Sequence, residues 1–183
     1  MKALKKVRII LGVLGFAVIV TQVSNAQALN SNTATVALNA VLAESLTVSA
    51  SPATVNFTLA ASGTSNGSAP VAITTTWALA KARTSMKVFA YFTSANALTD
   101  GAGDNIPTAN VLGNVNTTSY APFTGGAGPF GANSIQVFSQ TVGSVGTYNS
   151  SHSDSVALQI NTTGLALPAA TYTGTLNIQA QAL

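Results

Sequence analysis

Tyr172 to Ala182 reads YTGTLNIQAQA. Tyr172, Leu176, Ile178, Ala180 and Ala182 fall on one face of an extended chain, and Thr173, Thr175, Asn177, Gln179 and Gln181 on the other. Side chains of a strand alternate between its two faces, so this period of two predicts a strand buried on one side and wet on the other. The same alternation recurs back along the chain. Val156 to Ile160 and Ile135 to Val142 show it, and Met86 to Thr93 (MKVFAYFT) is apolar on both faces, as in a central sandwich strand. Val71, Ile73, Trp77 and Leu79 form another set, with Thr74 and Thr76 facing away; Val55, Phe57 and Leu59 follow Pro52. The earliest run is Thr33 to Leu42, where Ala34, Val36, Leu38, Ala40 and Leu42 alternate with Thr35, Ala37 and Asn39.

Turn-forming residues separate these runs. Ser62 to Ser68 and Asp100 to Asn105 are two such loops, and the longest irregular stretch spans Gly113 to Asn133. Ala78 to Arg83 (ALAKAR) has helix-like composition, but strand patterns run into it from both sides, so it reads as a strand end and a basic turn. About seven short strands between turns predict a single all-β domain over 33–183, an immunoglobulin-like antiparallel β-sandwich. Cysteine is absent, so the fold rests on apolar burial without disulfides.

The charge has to be placed along the chain before it is interpreted. The 183 residues carry +3, with only 6% charged. Lys2, Lys5, Lys6 and Arg8 precede an apolar run from Ile9 to Val20, and Ser24-Asn25-Ala26 follows. This order predicts a secretory signal peptide over 1–26, cut after Ala26 or, as second choice, Ala28. A helix of twelve residues rises only about 18 Å, too short for a hydrocarbon core of roughly 30 Å. Residues 27–32 then form a flexible lead. Beyond Ala26, Lys81, Arg83 and Lys87 stand against Glu44, Asp100, Asp104 and Asp154, a net −1. A nucleic-acid partner needs a basic footprint, and this one is confined to a single stretch. The expected location is periplasm, cell surface or extracellular space, with no membrane span in the mature chain.

Catalytic signatures occur literally and fail on context. Gly63-Thr64-Ser65-Asn66-Gly67 fits G-x-S-x-G, with Asp100 or Asp104 and His152 following, but a nucleophile elbow leads into a helix and here a strand follows. Gly126 to Gly131 fits G-x-G-x-x-G, again followed by a strand instead of a helix N-terminus. His152 and Asp154 share a face at two-residue spacing, yet His152 is the sole histidine and the segment reads as a polar loop before Val156. Asp100, Asp104 and Asn105 could offer calcium oxygens, but their spacing fits a plain turn better. The chain is therefore expected to be non-enzymatic, without cofactor or metal. Trp77 and Tyr91 could form a sugar platform, though Trp77 shares its face with core residues. Tyr120, Phe123, Phe130 and Tyr148 fall in irregular segments and form a candidate binding loop set, or else cover the sandwich ends.

Leu167-Pro168-Ala169-Ala170-Thr171-Tyr172-Thr173-Gly174-Thr175-Leu176, followed by alternation, resembles the closing strand of bacterial fimbrial and spore coat protein U-like domains. Leu46 to Leu59 resembles their early strand pair and Met86 to Phe92 their central strand. The chain departs from them in lacking cysteines and in having Ala170 where glycine is usual. The resemblance implies a structural or adhesive surface protein with no catalytic residues. Copies of itself, or related surface subunits, are the partners it suggests. The Thr33–Leu42 run pairs as the first strand of its own domain, or completes a neighbour's sheet as an intersubunit strand through Val36, Leu38 and Leu42. The alternative function is a secreted carbohydrate-binding module whose partners are glycans.

Overall fold

The computed structural model describes residues 31–125 and 130–183. The expected signal peptide, residues 27–30 of the lead and residues 126–129 of the glycine-rich loop lie outside the described residues. In chain order the strands are β1 (Ser45–Ser51), β2 (Thr64–Asn66), β3 (Val71–Ala78), β4 (Ser85–Tyr91), β5 (Asn96–Thr99), β6 (Asn105–Pro107), β7 (Val111–Val115), β8 (Ala121–Pro122), β9 (Ser134–Thr141), β10 (Asn149–Asn161) and β11 (Asn177–Ala182). A 3-10 turn, Thr108–Asn110, precedes β7.

These strands build an antiparallel β-sandwich. The first sheet has the order β1-β3-β10-β7-β8, with β2 added to the far end of β10. The second is β11-β4-β9, and β5 and β6 form a small hairpin. Consecutive β3 and β4 lie in opposite sheets, joined through the basic turn expected at 78–83. The inward positions follow the alternation. Val71, Ile73, Thr75 and Trp77 of β3 and Val156, Leu158 and Ile160 of β10 face Met86, Val88 and Ala90 of β4 across one hydrophobic core.

Five expectations are corrected. Thr33 to Leu42 is not the first strand, since no strand lies among residues 31–44 and the sandwich begins at Ser45. Val55 to Leu59 forms no strand either; Phe57 makes only an isolated bridge to Gly67. The supposed polar loop at 150–155 belongs to β10, because its hydroxyls fill the outer pleat while His152 and Asp154 turn inward. The long irregular stretch hides β7 and β8. There Gly113 breaks the apolar pattern because Ile135 and Phe123 occupy the space a Cβ would need. The closing strand is also shorter than its alternation: before Asn177 only Thr173 pairs, with Thr99.

Candidate functional site

Each sheet leaves one edge unpaired on the same flank of the sandwich. Among the described residues β1 has a ladder only with β3, and β11 only with β4. Both edges therefore present free backbone N–H and C=O groups. Between them runs a seam. At one end a cavity of about 340 Å³ is bounded by Ala50 and Val55 on one side, Leu176 and Ile178 on the other, and floored by Val71, Leu158 and Ile160. No charged residue lines it. At the other end, Leu46 and Leu79 face Ala180 and Ala182 across a second hollow of about 320 Å³. The start of β1 thus lies beside the end of β11, and the two edges run in opposite directions.

Glu44 stands at the mouth of the second hollow. Its Oε1 accepts hydrogen bonds from the Ala80 N–H at 2.8 Å and Arg83 Nε at 3.1 Å, and its Oε2 accepts from Arg83 Nη2 at 3.2 Å. The Arg83 guanidinium, and after it the Ala80 amide, hold the Glu44 carboxyl below the usual carboxylate range. This two-pronged pair ties the start of β1 to the turn that joins β3 and β4.

Large apolar side chains are concentrated just before Glu44. Val36 is 82% exposed, Leu38 91% and Leu42 79%. With Val41 they make four of the seven large hydrophobics exposed among the described residues, all within seven positions. The candidate intersubunit residues are therefore presented to solvent.

The candidate binding-loop aromatics do not meet. Phe123 is fully buried, edge-on to Phe92 with ring centroids 5.0 Å apart, so it is a core residue and offers nothing to a ligand. Phe130 stacks on Tyr91 at 4.7 Å and leans on Phe89 at 5.4 Å, covering the outer face of β4. Tyr120 is 39% exposed. Tyr148 is half-buried and donates its hydroxyl to the Lys81 carbonyl at 3.3 Å, beside the turn between β3 and β4. Trp77 belongs to the core, its indole N–H donating to the Thr147 carbonyl at 2.9 Å.

The catalytic matches are separated in space. Ser65 is buried on β2 opposite Ile160, whereas His152 lies opposite Thr75. Eight residues of one strand come to about 26 Å, far beyond hydrogen-bond reach. Ser65 Oγ instead accepts from the Ala60 N–H at 3.1 Å, a turn contact. Asp154 is buried; its Oδ1 accepts from Asn116 Nδ2 at 2.8 Å and lies 3.2 Å from His152 Nε2, while the imidazole stacks on Phe138 at 3.8 Å. Asp100 Oδ1 accepts the N–H groups of Ala102, Gly103 and Asp104, so this carboxylate closes its own loop. Among the described residues no three His, Asp or Glu side chains come together as a metal set, and no helix is long and apolar enough to cross a membrane.

Sequence reasoning located the exposed apolar run but not the seam. The signal was Val55, Phe57 and Leu59, an alternating set that packs half-buried against the core without a ladder partner. No family model and no curated protein matches the chain.

Proposed function

We propose that this chain is an exported, non-enzymatic subunit of a surface structure, whose copies join by strand donation. Thr33 to Leu42 of one copy lies in the seam between β1 and β11 of the next. The seam, uncharged at the cavity between Ala50 and Ile178, carries this reading. An added strand would gain main-chain bonds from a free edge and pockets for alternate side chains. Residues 31–43 contain no charge and supply Val36, Leu38, Ala40 and Leu42 at that alternation. Burial of a valine or leucine contributes about 1.5–3 kcal/mol, and each ladder bond about 0.5–1.5 kcal/mol, so a filled seam would exchange slowly.

Donation to a neighbour is favoured over folding back. Reversal would require a tight turn at Val41-Leu42-Ala43-Glu44-Ser45, which has no Gly, Pro, Asn or Asp. Glu44 is moreover held by Arg83 and Ala80. Export rests on Lys2 to Ala26, and the N-terminal sequence of secreted protein is expected to begin at Gln27.

Native material is expected to give ladders that resist SDS without heating. Leu38→Asp abolishes the ladders, and excess synthetic peptide spanning Thr33 to Leu42 shortens them by capping empty seams. A strict monomer from native material, or ladders unchanged by Leu38→Asp, would overturn the reading. A second reading, glycan binding, is favoured by one observation. The Tyr91–Phe130 stack, with Tyr91 Oη donating to Gln179 Oε1 at 3.1 Å, joins an aromatic body to an amide on one outer face. Glycan-array binding that Tyr91→Ala removes would support it, and an array without signal would exclude it.

A further inference from the structure

We infer that the outer face of the first sheet is a self-association surface on which copies of this chain pack side by side. The register of β1, β3 and β10 places hydroxyls in rows across three strands. Thr47 stands opposite Thr76, and Thr76 opposite Ser151; the next row is Ser49, Thr74 and Ser153. All six are exposed. Ala72 and Ala78 continue the face at either end of β3. No side chain in these rows is charged or longer than threonine.

Solvent-facing sheet surfaces ordinarily carry long charged side chains, which keep sheets apart. This face has none, so it offers no ion pair to a charged partner. It also does not repel its own copy, since the chain beyond Ala26 carries only −1. Short side chains let two sheets approach to about 10 Å. Each hydroxyl both donates and accepts, so one row can satisfy another identical row, and the face is complementary to itself about a two-fold axis. The desolvation cost that an unpaired hydroxyl would suffer is thereby avoided.

Area decides when the contact forms. Three strands of seven residues cover about 14 Å by 23 Å, a footprint near 330 Å². Stable pairs bury about 800 Å² per partner. Isolated copies therefore stay apart, while an array of linked copies adheres through many weak contacts. The face acts laterally, and its action needs no strand insertion.

The test uses the full mature chain carrying Leu38→Asp, which removes strand donation, coupled at high density to beads through a C-terminal tag. These beads are expected to clump, with at least a tenfold loss of clumps when Thr74→Lys is added and none when Thr74→Ser is added. The Thr74→Lys chain should melt within about 2 °C of its parent, showing an intact fold. Dispersed parent beads would overturn the proposal. So would clumping that survives both Thr74→Lys and Ser153→Lys.

Discussion

Thr75 is fully buried on β3, and its hydroxyl has no hydrogen-bond partner among the described residues. A buried hydroxyl without a partner costs about 1–3 kcal/mol relative to an apolar group of the same shape. Thr75→Val is therefore expected to stabilise the domain by about 1 kcal/mol, read from the urea midpoint at constant slope. Asp100 gives a pH dependence. The Ala102 amide, then those of Asp104 and Gly103, hold its carboxyl below the usual carboxylate range. A carboxyl whose folded value is lowered contributes stability in full above the ordinary value and loses it as pH falls through the lowered one. An NMR titration is expected to place the Asp100 midpoint below that of free aspartate. Asp100→Ala should flatten the acid side of the stability profile across the same window. Neither residue was singled out for these roles by sequence. Thr75 shares the composition of its outward neighbours Thr74 and Thr76, and the alternation that turns it inward does not show that its hydroxyl lacks a partner.

Elements whose inward positions are all apolar or aromatic were legible. β4 and β9 stand close to their expected bounds, as does β3, whose alternation is interrupted only by Thr75. Where glycine or polar residues occupy inward positions the pattern fails, as in β7 at Gly113 and in β10 at His152 and Asp154. Phe123 was misplaced for a related reason. Its flanks are rich in Gly and Pro, yet the segment folds over the gap Gly113 leaves and seats the ring in the core. Gly113→Ala would bring a Cβ to 2.5 Å from Ile135 Cδ1 and is expected to cost about 1–3 kcal/mol. Phe123→Ala empties the same space and should cost about 3–5 kcal/mol, both measured by urea unfolding. Gly174 is stricter still, because a Cβ there would overlap the backbone of Ala97.

For the whole molecule, composition and period identified an all-β domain, and Thr33 to Leu42 was visible as an alternating run expected to pair first in its own domain or in a neighbour's sheet. The seam was not readable, because a missing strand leaves no residues of its own and shows only as two edges that tertiary folding brings to one flank. Filling the seam stabilises whatever holds the occupant, by RT ln(1 + [L]/Kd). Peptide spanning Thr33 to Leu42, added to the Leu38→Asp chain at a hundred times its Kd, should therefore raise unfolding free energy by about 2.7 kcal/mol. The seam has one more consequence. The donated run and the cleft between β1 and β11 are different parts of the chain, so the contact they make is head-to-tail, which does not close on itself as a two-fold pair does. A row of copies joined this way has direction: at one end an empty cleft, at the other an idle run. Growth, capping and loss would proceed by unlike chemistry at the two tips.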